Sequence, residues 1–332
     1  MDVTDLLARA VEAGASDLHL AAGQVPMLRL DGELQRMDAP PLLSAALSDA
    51  MTPLLADEQC QQWAQGDELD VALQLPALGR FRLNLFRQLN GLAATFRVIP
   101  KRIATLDELD LGEVFLAVAQ CTDGLVLVGG PTGSGKSSTL AALLDQLNRE
   151  RPVHIITLED PIEVIHSSQR SLVNQREIGR HCGGFAQGLR SALRQDPDVI
   201  VIGELRDLQT IRLALWAAET GHLVLATVHT RSAINSIDRL VEVFAAEEKP
   251  LVRAMLAESL RVVVAQVLVK RVGGGRVAAR EVLVANTAVR NLIREGRLAQ
   301  LQSVMQSGAA AGMRTMEAAL RELHAKGLTE TL

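Results

Sequence analysis

The octapeptide GPTGSGKS, residues 130–137, closes the apolar run GLVLVGG and opens the stretch SSTLAALLDQLNRE. It satisfies the pattern G-x-x-x-x-G-K-[ST], and it has the right context: a strand before it and a helix after it. Gly130, Gly133 and Gly135, with Pro131, Thr132 and Ser134 between them, let backbone N–H groups converge on phosphate oxygens without Cβ clashes. The helix N-terminus adds a favourable dipole. Lys136 can reach the β- and γ-phosphates, the Ser137 hydroxyl can ligate Mg²⁺, and Ser138 continues the first turn. A chain built around this loop must be an α/β fold with a nucleotide at the sheet edge.

The rest of the chain follows that constraint. From residue 113 strands and helices alternate: GLVLVGG, then SSTLAALLDQLNRE, VHIITLED, FAQGLRSALRQD, DVIVIGE, LQTIRLALWAAETG and HLVLATVHT. This alternation predicts a parallel sheet covered on both faces. Residues 250–332 read as mostly helical, interrupted by GGGR at 273–276. Before the core, a helix over 4–14 and a helical stretch over 44–64 accompany the short strands SDLHL, PMLRLDGEL, LDVALQL, GRFRLNLFRQ and LAATFRVIP, so residues 1–98 read as an α+β domain. IPKRIATLDELDLG, residues 99–112, reads as an interdomain linker, with the nucleotide-binding core over 113–275 and a helical C-terminal region over 276–332.

Composition removes several classes. Aromatics make up 2% of the 332 residues and tyrosine is absent, too few rings for a base-stacking nucleic-acid module. Lys+Arg 34 against Asp+Glu 39 gives a net charge of −5, which does not favour a bulk electrostatic grip on DNA, so no direct nucleic-acid partner is expected. Cys60, Cys121 and Cys182 have no zinc-site spacing and read as reduced thiols. MDVTDLLARAVEAGASDLHL is not a signal peptide, and no apolar run approaches the ~20 residues of a membrane span. The expectation is a cytoplasmic protein without membrane insertion.

Hydrolysis needs carboxylates beside the loop. DVIVIGELRD places Glu204 after the apolar run Val199–Ile202, with Gly203 where many NTPases carry an Asp, so Glu204 would face Mg²⁺ through a bound water. LEDPIE gathers Glu159, Asp160 and Glu163 around Pro161; in isolation it could equally be a solvated acidic turn. His222 and His229 bracket HLVLATVH. On a strand they lie about 23 Å apart, and on a helix about 10 Å, so they cannot share a metal ion. His229 ends the strand and falls on the edge where ligands of open parallel sheets bind; His222 begins it, on the opposite edge, where a capping or packing role is an equal reading.

Taken in order, GPTGSGKSS, TLEDPIE, ALRQDPDVIVIGELRD and AAETGHLVLATVHT resemble the Walker A, Asp box, Walker B and His box of secretion-superfamily ATPases, the hexameric motors of type IV pili and type II secretion. The resemblance extends over nearly the whole chain and is closest to the pilus-retraction subfamily. ASDLHL and LRLDGEL are similar to that family's PAS-like N-terminal domain, and AVRNLIRE, residues 288–295, resembles its retraction-type C-terminal motif. The resemblance implies a RecA-like core with a helical C-terminal part, and ATP with Mg²⁺ as ligands. Glu163 would polarise the attacking water, Glu204 would be the Walker B glutamate, and His222 and His229 would sense nucleotide state. Arg82 and Arg97 match positions where the family supplies arginines to the nucleotide from its N-terminal domain; without the resemblance they read as exposed strand residues. It further implies a homohexamer recruited to the inner face of the inner membrane by a pilus platform protein, with related motor ATPases as possible companions. Ser138 for the usual Thr, Arg280 for a usual His, and HCGGF are departures. The alternatives are an assembly or secretion ATPase, a nucleic-acid translocase and a nucleotide-binding regulatory partner of another motor.

Overall fold

A computed structural model describes residues 2–330. The chain forms two compact units: one holds the chain up to Arg102 together with Pro161–Val164, the other Ile103–Asp160 and the chain from Ile165 onward.

In the first unit, α1 (Val3–Glu12) is followed by β1 (Asp17–Ala21), β2 (Met27–Leu30), β3 (Glu33–Arg36), α2 (Ser44–Met51), α3 (Asp57–Gln65), β4 (Leu69–Leu75), β5 (Gly79–Gln88) and β6 (Gly91–Ile99). The Asp2 carboxylate accepts the Thr4 N–H at 2.8 Å and so caps α1, whose Val3, Leu6, Leu7 and Ala10 turn inward. The sheet order is β3-β2-β1-β6-β5-β4, antiparallel at every pairing. Strand β5 shows the period-2 rule plainly: Phe81, Leu83 and Leu85 are buried in the core with Leu18, Leu20 and Phe96, while Arg80, Arg82 and Asn84 take the other face.

The second unit runs α4 (Gly112–Gln120), β7 (Gly124–Gly129), α5 (Lys136–Glu150), β8 (His154–Glu159), β9 (Leu172–Glu177), α6 (Phe185–Ala192), β10 (Val199–Ile202), α7 (Leu208–Glu219), β11 (Leu223–Val228), α8 (Ala233–Glu242), α9 (Lys249–Ser259), β12 (Leu260–Lys270), β13 (Arg276–Val284), α10 (Thr287–Arg294), α11 (Leu301–Ser307) and α12 (Met316–Ala325). Its seven strands lie in the order β13-β12-β7-β11-β10-β8-β9. Every residue of β7, β10 and β11 is buried, because helices cover both faces. Alternate residues feed opposite cores: Leu125, Leu127, Ile200, Ile202, Val224 and Ala226 pack with α7 and α9, while Val126, Val128, Val199, Val201 and Leu225 pack with α4 and α5. Among the described residues no helix is long and apolar enough to cross a membrane.

Two expectations need correction. The chain from 276 does not begin as helix: β12 and β13 form a long antiparallel pair, with Gly273–Gly275 in the turn between them and Arg276 opening β13. The run RVVVAQVLVK is rich in β-branched valine and adds a parallel neighbour to β7, so tertiary pairing wins over the helical reading, and helix starts only at Thr287. The sheet also gains an edge strand, β9, whose polar sequence LVNQRE gave no apolar signal. Within AVRNLIRE, Val289 and Ile293 are buried, and Arg290 donates to the Ala257, Glu258 and Leu260 carbonyls, closing the C-terminus of α9. Arg280, one of the departures, is buried and donates to the Asp110 carbonyl at 3.4 Å; burial lowers its pKa to about 10.

Candidate functional site

Strand β7 delivers the chain to Gly130, and α5 starts at Lys136 with Gly135 as its left-handed N-cap at φ 88°. Gly130 cannot be replaced without strain: a Cβ there would lie 2.4 Å from Ser134 Oγ and 2.5 Å from the Gln266 carbonyl oxygen. The Lys136 ammonium folds back over the loop, donating to the carbonyls of Gly130 at 2.8 Å and Pro131 at 2.9 Å. Pro131, Thr132, Gly133, Ser137 and Ser138 are exposed, whereas Ser134 is buried. The loop is therefore folded in advance, with its exposed face rimmed by the helix N-terminus, which suits a polyphosphate.

Strands β10 and β11 run parallel to β7, so their carboxyl ends share its edge. Gly203 donates its N–H to the Leu158 carbonyl at 2.7 Å, the Thr227 hydroxyl donates to the Gly203 carbonyl, and the Leu205 N–H donates to the Thr227 carbonyl at 2.9 Å. These crosslinks wedge the residues around Glu204 between β8 and β11. A Cβ at 203 would sit 3.2 Å from the Leu158 carbonyl oxygen, so an Asp there would need that backbone to shift by a few tenths of an ångström. The Glu204 side chain is only 12% exposed, and its Oε2 meets Arg206 Nε at 2.6 Å and His229 Nε2 at 3.2 Å. Expected only to share an edge, His229 and Glu204 are in contact. Glu204 and the Ser137 hydroxyl are a hard-oxygen donor set too small to cage a cation alone; such a set fits Mg²⁺ that arrives with phosphates and water.

His222 lies at the other end of β11. Its Nδ1 is 3.0 Å from the Ala217 carbonyl, where an Nδ1–H tautomer donates to the C-terminus of α7. Within this unit it is not brought to the edge that holds Lys136, Glu204 and His229. Glu159 accepts from the Thr157 hydroxyl at 2.6 Å and from Gln175 Nε2 at 3.0 Å.

The remaining candidates belong to the first unit, where strand register sets Arg29, Asp17, Arg97 and Arg82 in one row across β2, β1, β6 and β5. Arg82 directly opposite Arg97 is a repulsive pair unless carboxylates intervene. Asp17, 5% exposed, takes Arg97 Nε at 3.0 Å and has Arg29 at 3.9 Å. Arg82 is held bidentately by Asp70 at 2.8 and 2.7 Å, and its Nη1 reaches Glu163 Oε1 at 3.3 Å. The hydrogen bonds that Arg82 donates to Asp70 raise its pKa above its ordinary value against the opposing effect of burial, and the charges of Asp70 and Glu163 add to the rise. Arg80, overlooked in the sequence, donates from Nε and Nη2 to the Ile162 carbonyl at 3.0 and 2.8 Å. Its signal was available: Arg80 and Arg82 share a face of β5 by alternation.

A lysine and a helix N-terminus poised for phosphate, on the carboxyl edge of a parallel sheet, are the working parts of P-loop NTPases, and the second unit is a RecA-like member of that class. A match to the family "Type II/IV secretion system protein" spans residues 1–274. The chain is 53% identical over 328 residues to the type IV pilus retraction ATPase PilT of Pseudomonas aeruginosa, covering 99% of this chain and 95% of that protein. It is 49% identical over 304 residues to a twitching motility protein of Neisseria gonorrhoeae, covering 91% and 81%. A crystal structure of the pilus retraction motor PilT with bound ADP superposes with a TM-score of 0.88 at 42% identity, covering 99% of this chain and 94% of that one. The chain belongs to the type II/IV secretion system protein family.

Proposed function

We propose that the chain is a Mg²⁺-dependent ATPase that powers retraction of type IV pili and so drives twitching motility. The observation that carries the chemistry is the convergence of Lys136, Glu204 and His229 on one sheet edge. The direction of work rests on the likeness to retraction ATPases over almost the whole length of both chains.

ATP is held by backbone N–H groups of residues 132–138 and by Lys136, which exchanges its loop carbonyls for phosphate oxygens. The Ser137 hydroxyl and the Glu204 carboxylate are the residues that would hold Mg²⁺, which would supply charge neutralisation when bound. Glu163 polarises the attacking water, a role that requires it to give up its ion pair with Arg82. Arg82 and Arg97 then turn from carboxylates to phosphate, for which a guanidinium fork is suited. His229, in contact with Glu204, reports the state of that carboxylate to the chain that follows β11. His222 caps α7 within its own subunit, so the second sensing role that the resemblance implies for it is not exercised at this sheet edge.

The working assembly is a homohexamer in the cytoplasm, recruited to an inner-membrane platform protein. Residues 99–112 serve as the hinge between an N-terminal domain over 1–98 and the ATPase core. The exposed Asn291, Arg294 and Glu295 of AVRNLIRE offer the partner a polar face, while Arg290 is occupied structurally. The test is genetic. A deletion strain should lose twitching and become hyperpiliated, and the wild-type gene but not Lys136→Ala should restore both traits. Loss of pili in the deletion strain would assign the chain to assembly instead.

A further inference from the structure

Gln266 is 1% exposed on β12, within the otherwise apolar run Val262–Val269. A buried amide is costly unless both ends are partnered, and here both are. Nε2 donates to the Ser134 carbonyl at 2.7 Å, and Oε1 accepts from the Thr139 hydroxyl at 2.9 Å. The Ser134 oxygen can only accept, so the amide cannot flip, and Thr139 must be the donor at the other end.

We propose that Gln266 is a positioning residue of the phosphate-binding loop, holding the Ser134 carbonyl so that the Gly135 N–H is aimed at bound phosphate. The inference rests on the reading of residues 130–137 as a nucleotide site. In a trans peptide the C=O and the following N–H point in opposite directions. With the Ser134 carbonyl drawn toward β12, the Gly135 N–H points away from it, and in this motif that direction is into the loop. The same residue buttresses both ends of the motif. Its carbonyl oxygen lies 2.5 Å from where a Cβ on Gly130 would fall, and its Nε2 lies 3.2 Å from where a Cβ on Gly135 would fall. Strand β12 is placed to do this by register: its last pair with β7 is Ala265 with Gly129, so the next residue stands beside the start of the loop. Thr139, on the first turn of α5 beyond the loop, tethers the amide rather than touching the ligand.

Equilibrium binding of ADP to the full chain tests this, with melting temperature recorded for each variant. Gln266→Met removes both hydrogen bonds at similar volume and should weaken ADP binding about five- to tenfold, the worth of one well-placed hydrogen bond. Thr139→Val should weaken it about twofold, and the double variant should be no worse than Gln266→Met, because the two side chains act as one unit. Gln266→Glu gives a readout that a purely structural role would not move. As a carboxylate it cannot donate to the Ser134 carbonyl, but as a carboxylic acid it can. Its deficit relative to wild type at the same pH should be largest at pH 8 and shrink at pH 6. A folded Gln266→Met variant with ADP affinity within twofold of wild type would overturn the proposal. So would a Gln266→Glu deficit that does not change with pH, which decides the matter even if Gln266→Met fails to fold. A folded wild-type chain that binds no ADP would instead overturn the nucleotide site itself, and the positioning role with it.

Discussion

The two ends of β11 carry the same residue type and opposite environments. At the carboxyl end His229 is 46% exposed and meets the Glu204 carboxylate, which Arg206 also holds. At the amino end His222 rests on the last turn of α7. Sheet polarity produces the difference. Parallel strands release the chain at their carboxyl ends into helix N-termini, where N–H groups and positive dipole ends gather. Their amino ends receive helix C-termini, whose free carbonyls ask for donors. An imidazole at the first edge therefore joins an anion site, and one at the second becomes a cap. The strand thus separates chemistry from stability within one unit.

Substitutions can break or sharpen that contrast. The largest effect should come from Lys136→Ala at the carboxyl edge, a loss in ATP turnover on the order of 10³-fold with stability within about 1 kcal/mol of wild type. Glu204→Gln should cost turnover roughly 10²-fold, and His229→Ala about tenfold without a lower melting temperature. His222→Ala should do the reverse, costing about 1 kcal/mol in denaturant unfolding through the lost cap while changing single-subunit ATP affinity little. A turnover loss for His222→Ala equal to that for His229→Ala would erase the distinction between the two edges.

A separate, pH-dependent effect concerns a third histidine, outside both edges. His166 is 8% exposed, and burial lowers its pKa to about 4, against a weaker opposing effect from Asp145. The unfolded chain then binds the proton first. Stability from this group is intact above pH ~6.5, falls as pH drops from there toward about 4, and does not change further below that, because both states are then protonated. His166→Gln should remove on the order of 2 kcal/mol of acid sensitivity in that window, read from unfolding at pH 7 and pH 4.5.

What could be read from the chain follows the range of the interactions. The phosphate loop is local: three glycines, a lysine and a serine within eight residues, with strand and helix attached. His229 was placed by strand direction alone, which needs only the identity of β11 and its neighbours. The Arg82 partners Asp70 and Glu163 lie 12 and 81 residues away in sequence, and nothing in GRFRLNLF announces either. Gln266 is 132 residues from the Ser134 carbonyl it holds, and nothing in RVVVAQVLVK announces that partner. The same run was misjudged as helix because its pairing partner β7 is equally remote. The polar edge strand β9 escaped because its stability comes from one neighbour, β8, rather than from its own hydrophobic pattern.

Steady-state ATP hydrolysis by the purified chain, with Lys136→Ala and Glu163→Gln beside it and oligomer mass recorded on each sample, tests the account most directly. Turnover by a wild-type hexamer, abolished in both variants, is the predicted result. A well-formed hexamer that binds ATP and does not hydrolyse it, or a Glu163→Gln variant as active as wild type, would contradict the motor chemistry assigned to these residues.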